Sequence, residues 1–295
     1  MIIISGPTAS GKTDIAIKIA EKFNKSIISA DSRQVYNFLN IGTAKPSPDI
    51  LEKYKHYLID IINPDEQYNA GRFFFDVQKI LKKENKNIPI IVGGTGLYIK
   101  AFLEGLAPIP DIPDDIVNNL KKKLEKQGLL SLYESLKRID PECAEFVHHN
   151  DKQRIIRFLS IFEHTGKTFS EWKKEQKTPK YNFKICYFIL TLDRDALYDR
   201  INKRVDIMIE MGLINEVEQV LNMGYNKNCP GLNTFGYKEI IDFLEGSITK
   251  DRAIELIKQN TRRFAKRQIT WFKKENKAVF VKKEQALECI LDSLK

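Results

Sequence analysis

No apolar run in this chain approaches the roughly 20 residues that a membrane-crossing helix needs. Met1 leads directly into the strand-like string IIIS, so the sequence predicts neither a membrane anchor nor a signal or transit peptide. Cysteine is scarce: Cys143, Cys186, Cys229 and Cys289 stand far apart with no C-x-x-C pair. That excludes a disulfide scaffold and a cysteine zinc site, and points to a reducing compartment. Of four histidines, His148 and His149 are adjacent, but no cysteine or carboxylate completes a ligand set around them. There is no internal repeat and no low-complexity tract. The expected protein is soluble and cytoplasmic.

What is present is a long chain with a displaced charge. At 295 residues it fits one large domain or a core with a smaller companion. Hydrophobic residues make up 42%, enough to bury a core rather than stay disordered. The formal net charge is +9, and its location is informative. From Thr261 to Lys283 there are nine Lys or Arg against the single acid Glu275, a surplus of eight (9 − 1 = 8). A basic patch confined to one segment favours a polyanionic partner over diffuse basicity, although a solvated helix face has the same composition.

Three short apolar runs, Ile2–Ser5, Ser26–Ala30 and Ile88–Val92, read as buried strands. Helical patterns over Lys12–Phe23 and Ala70–Asn85 separate them, which is the alternation of a parallel sheet. A fourth strand candidate starts at Phe183. Before it, the proline-rich LAPIPDIPDD marks an exit from the sheet, and residues 114 to about 175 look helical throughout. The expected architecture is α/β: a doubly wound parallel-sheet core of P-loop type, from residues 1–110 and 181–295, with an all-helical insertion over 111–180. Two amphipathic helices broken at Gly212 follow the fourth strand. A long helix runs from about Thr249 to Lys274, with Ile254, Ile257, Phe264 and Trp271 as its rough apolar stripe.

GPTASGKT supplies Gly6, Pro7, Thr8, Ala9, Ser10, Gly11, Lys12 and Thr13, and satisfies G-x-x-x-x-G-K-[ST] between a strand and a helix. In that context backbone N–H groups and the helix N-terminus face a phosphate, Lys12 adds a point charge, and Thr13 is placed to ligate Mg²⁺. A nucleoside triphosphatase also offers an acid at the end of a later strand. Here IPIIVGGTG ends in glycines, and the only strand-end acid is Asp31 in SIISADSRQ. Asp31 is either a Mg²⁺ anchor or a general base, and both put it at the ligand crevice. Thr95 in GGTGLY brings a hydroxyl to the same edge.

Taken as a series, these residues resemble the tRNA dimethylallyltransferase (isopentenyltransferase) family, bacterial type. GPTASGKT and SADSRQVY are followed by IGTAKP, GGTGLY, HHNDKQRIIR, RINKRVDIMIEMGLINEV, GYKE and TRRFAKRQITWF. The resemblance implies transfer of a dimethylallyl group from dimethylallyl pyrophosphate to the exocyclic amine of the adenine 3′-adjacent to the anticodon. It implies pyrophosphate rather than a nucleotide in the Gly6–Thr13 cradle, with Mg²⁺ as cofactor. Asp31 then becomes the base, Thr95 an orienting group, and Arg204 an assistant at the pyrophosphate, although an arginine on that helix could equally be a surface residue. Implied tRNA contacts are Asp31, Ser32, Arg33, Gln34 and Thr95 near the centre, and Gln153, Arg154 and Arg157 in the insertion. Asn233, Lys238, Arg262, Arg263, Lys266 and Arg267 complete the set, with the anticodon stem-loop as partner and a monomer as the working form. The chain departs from the family pattern at Phe146–His149, Asn233 and Phe235, all in segments expected to face RNA. A kinase, a transferase acting on free adenine nucleotides and a plain RNA-binding module are the competing readings.

Overall fold

The computed structural model describes residues 1–85 and 87–293. Its sheet has six strands: β1 (Ile2–Ser5), β2 (Ile27–Ser29), β3 (His56–Tyr57), β4 (Ile90–Gly93), β5 (Cys186–Thr191) and β6 (Val279–Lys282). Their order is β3-β2-β4-β1-β5-β6, and every pairing is parallel. Ile2, Ile4, Ile27, Ile90, Val92, Phe188 and Leu190 pack with Ile15, Ala16 and Ile19 of the helix Lys12–Phe23 and with Ala286 and Ile290. Side chains alternate along a strand, so Ile3, Ile28, Ile91 and Ile189 point to the opposite face. They are also buried, and the sheet is covered on both sides.

The two edge strands were not expected from the sequence. β3 is two residues long and too short to show a period, and β6 (VFVK) lies inside the basic run. The interior strands fall within three residues of their expected limits. Because β4 lies between β2 and β1, the loops after β2, β4 and β1 open side by side at the carboxyl edge of the sheet. That edge is where open α/β sheets hold ligands.

Chain contacts divide the protein into two units, Met1–Phe102 with Tyr181–Lys295, and Leu103–Lys180. In the second unit, helices Asp114–Ile139 and Lys152–Thr165 share a core of Leu120, Leu132, Leu136, Val147, Ile155 and Leu159. Gly128 breaks the first of these with a non-helical φ of 78°. Buried Asp140 joins its turns, accepting from Cys143 N at 3.0 Å and Ser170 N at 3.0 Å.

In the first unit the segment IGTAKP is held from below by one carboxylate. Glu216, buried on the helix Leu213–Asn222, accepts from Asn40 N (2.9 Å), Ile41 N (2.8 Å), Gly42 N (3.2 Å) and the Tyr237 hydroxyl (2.6 Å). Removing the acceptor orphans the buried Tyr237 hydroxyl and takes the partner from the half-buried Ile41 and Gly42 amides, and an unpaired buried donor costs about 1–3 kcal/mol. Glu216→Ala is therefore expected to lower the unfolding free energy by about 3 kcal/mol or more in urea melts. Glu216→Gln, which keeps one acceptor oxygen, should lose clearly less.

Candidate active site

The loop after β1 turns sharply: Gly6 has φ 145°, Ala9 φ 61° and Gly11 φ 88°, the last as N-cap of Lys12–Phe23. Successive left-handed residues turn amide N–H groups to one side and form an anion cradle at a helix N-terminus. Loop and strand ends are tied to one another. Ser5 Oγ donates to Gly93 O (2.8 Å), Ser32 N donates to Thr95 Oγ1 (3.0 Å), and Thr95 N donates to Ala30 O (3.1 Å). Gly93 permits this approach, because a Cβ there would lie 2.1 Å from Ala30 O.

Three cations converge on the loop. Lys12 Nζ donates to Pro7 O at 2.7 Å and lies 3.5 Å from Ser10 Oγ. Arg204, on the helix Arg194–Glu210, donates through Nη2 to Thr8 Oγ1, and its Nε is buried with no partner among the described residues. One turn earlier, Arg200 Nε donates to Ala9 O at 2.7 Å. Asp31 is the carboxylate facing them: its charge acts on both Lys12 and Arg204. Its Oδ1 accepts from Arg33 N at 2.9 Å, which fixes the carboxylate at the end of β2.

The electrostatics are lopsided. Burial, with Arg204 adding to it and Asp31 opposing, lowers the Lys12 ammonium from 10.5 to about 7. Burial likewise pushes the Arg204 guanidinium below its ordinary value, against the pull of Asp31. One carboxylate cannot neutralise this set, and charge held away from water without a partner costs several kcal/mol. An anion in the cradle removes the imbalance.

Gln268 was not singled out from the sequence. It is buried on the helix Lys250–Phe272, where its Oε1 accepts from Thr8 N (2.8 Å) and its Nε2 donates to Gly94 O (2.9 Å). One amide thus clamps the phosphate loop to the β4 turn. The helix buries Ala253, Ile257, Ala265, Gln268 and Phe272, while Phe264 and Trp271, expected on its apolar stripe, are over a third exposed. Ile257 of the expected stripe is buried and Ile254 packs against the same core, so the expected face is the buried one; Ala253, Ala265 and Gln268 belong to it but carry little hydrophobic signal. Arg200, four residues before Arg204 on one helix face, carried a signal that could have been read.

The remaining expected positions fall into distinct settings. Gln34 is occupied internally, its Oε1 accepting from Ser29 Oγ (2.9 Å) and its Nε2 donating to Ala44 O (3.1 Å). Arg33 Nη1 donates to Pro230 O at 3.1 Å, and Arg262 Nη1 to Asn202 Oδ1 at 2.6 Å. Asn233, Lys238, Arg263, Lys266 and Arg267 are exposed. Gln153, Arg154 and Arg157 are exposed in the second unit, where Arg154 Nε lies 3.4 Å from Asp151. No group of three or more His, Cys, Asp or Glu suited to a metal occurs among the described residues, and no helix among them could cross a membrane.

Fold and site together define a P-loop-type α/β protein whose left-handed loop and converging cations are suited to a phosphate-like anion, with the Asp31 carboxylate beside them. Comparison with known proteins gives the particular family. The model of the family described as IPP transferase matches residues 34–275, and the chain belongs to that family. It is 47% identical over 279 residues to the tRNA dimethylallyltransferase of Carboxydothermus hydrogenoformans, covering 93% of this chain and 89% of that one. It is 46% identical over 281 residues to the Thermotoga maritima protein of the same name, covering 94% and 90%. Among solved structures, the full-length tRNA isopentenylpyrophosphate transferase of Bacillus halodurans superposes with a TM-score of 0.72 at 35% identity, covering 99% of this chain and 94% of that one. A eukaryotic dimethylallyltransferase acting on tRNA gives 0.80 at 29% identity, covering 96% and 73%.

Because free Lys12 titrates near 7, an anion that restores its ammonium must bring a proton with it above that pH. Pyrophosphate should bind more tightly as pH falls through 8 toward 7. Calorimetry at pH 8 in buffers of different ionisation enthalpy should show proton uptake that Lys12→Met abolishes.

Proposed function

We propose that this chain transfers a dimethylallyl group from dimethylallyl pyrophosphate to the exocyclic amine of the adenine 3′-adjacent to the anticodon of tRNA. The observation that carries the reading is the excess of buried positive charge at the loop, with Arg204 Nε unpartnered, opposite one fixed carboxylate. Charge of that sign stabilises a leaving pyrophosphate as its negative charge develops. The C1–O bond of the donor breaks with its electron pair going to pyrophosphate, and the adenine N6 lone pair forms the new bond to C1. The amine proton passes to Asp31.

Strand spacing gives the scale. Asp31 ends β2 and the cradle follows β1 two strands away, roughly 10 Å across the sheet edge. That leaves room for a five-carbon group and the incoming amine between them. Thr95 follows the strand between; its oxygen accepts from Ser32 N, so its O–H remains to orient the base. Reaching an adenine in this crevice requires it to leave its stack, which a single-stranded loop permits at low cost.

Mg²⁺ would be held by the Thr13 hydroxyl and the pyrophosphate oxygens. Mg²⁺ commonly takes few protein ligands where a phosphate supplies the others. It would neutralise charge on the leaving group. The exposed cations Arg263, Lys266 and Arg267, with Lys238 and Asn233, face the RNA backbone in this reading, as do Gln153, Arg154 and Arg157 of the second unit. In this reading one chain suffices as the working form, since it carries cradle, cations and carboxylate, and its place is the cytoplasm, where tRNA is found.

The test offers radiolabelled dimethylallyl pyrophosphate and Mg²⁺ with unmodified tRNA, with AMP, or with ATP alone. Label on tRNA and not on AMP is the expected outcome. Label on AMP alone would remove RNA from the account, and ATP consumption without transfer would make the protein a kinase or ATPase. Asp31→Asn keeps an oxygen for Arg33 N but removes the base. It should slow single-turnover transfer about 10³-fold while weakening tRNA binding far less.

A further inference from the structure

The basic helix carries an aromatic feature that phosphate contacts do not require. Phe235 and Phe264 lie with ring centroids 5.7 Å apart at 48°, and the Arg267 guanidinium lies 5.7 Å from each ring. Phe264 is 36% exposed, Trp271 38%, and Arg267 is exposed. Phe264, Arg267, Gln268 and Trp271 follow the spacing i, i+3, i+4, i+7 and so share one stripe. Gln268 touches the phosphate loop, and the Trp271 indole lies so close to Gly96 that a Cβ there would be 2.2 Å from its Nε1. The cluster therefore sits about one helical turn, about 5 Å, from side chains that border Thr95. Between Leu256 and Lys274 the chain has no acid, so the surroundings suit a polyanion.

We propose that Phe235, Phe264 and Arg267 form a stacking platform for an unpaired nucleobase of the anticodon loop, one that flanks the acceptor adenine. The inference rests on the tRNA reading above. A guanidinium held over two partly open rings presents flat surfaces to a third ring, and base–aromatic stacking tolerates any base because each has a π face. Arg267 then differs in kind from Arg263 and Lys266: they neutralise phosphates, whereas Arg267 contributes a plane.

The test measures binding of an anticodon stem-loop with 2-aminopurine beside the acceptor adenine, across a salt series. Phe235→Ala and Phe264→Ala should each weaken binding about tenfold. They should also reduce the 2-aminopurine quenching while leaving the slope of log Kd against log salt unchanged. Phe235→Leu, which keeps apolar packing without the ring, should lose as much as Phe235→Ala. Arg267→Lys should be as weak as Arg267→Ala, whereas Arg263→Ala should flatten the salt slope by about one with quenching intact. Full affinity in Phe235→Leu, or rescue by Arg267→Lys, would overturn the platform. Wild-type protein that failed to bind the stem-loop would instead overturn the tRNA reading, and the platform with it.

Discussion

Positive charge held away from water is the constraint around which this protein is arranged. Lys12, Arg200 and Arg204 meet at one loop, and Asp31 is the carboxylate whose charge acts on Lys12 and Arg204. An exposed ion pair is worth at most about 1 kcal/mol, whereas an unmatched buried charge costs several. The fold must therefore hold these side chains by other means. It does so with packing and with backbone acceptors: Pro7 O takes the Lys12 ammonium, Ala9 O takes Arg200, and Gln268 pins the loop from the far side. The donors at the loop are thus held in place by the fold itself.

That preorganisation depends on elements distant in sequence. The loop follows β1, Asp31 follows β2 and Thr95 follows β4, yet Gln268 and Trp271 arrive from the last long helix. The same helix carries the basic surface, so the residue that fixes the reaction centre and the residues suited to RNA lie on one rigid rod. Glu216 plays the matching part on the other side of the crevice, holding the turn at Asn40–Gly42 through three amides.

Much of this was legible in the sequence. The Gly6–Thr13 cradle, the strand-end placement of Asp31 and Thr95, and the interior strands came from local pattern, because buried parallel strands are apolar runs and phosphate loops need fixed glycines. The illegible parts are those where a polar side chain is buried by its bonds. Gln268 and Glu216 carry no mark of burial until their partners, 260 and 176 positions away, are in place. Edge strands β3 and β6 gain their identity from a neighbour rather than from their own composition. Arg204 was named through resemblance, and its i−4 partner Arg200 on the same helix face was passed over.

The most direct measurement is a crystal structure with a sulfur-bridged, unreactive analogue of dimethylallyl pyrophosphate and an anticodon stem-loop. The account requires pyrophosphate oxygens within about 3.2 Å of Lys12 Nζ and the Arg204 guanidinium, with Lys12 withdrawn from Pro7 O. It also requires the adenine amine within the same reach of the Asp31 carboxylate. Pyrophosphate bound away from the loop, or an adenine amine facing some other base, would contradict it.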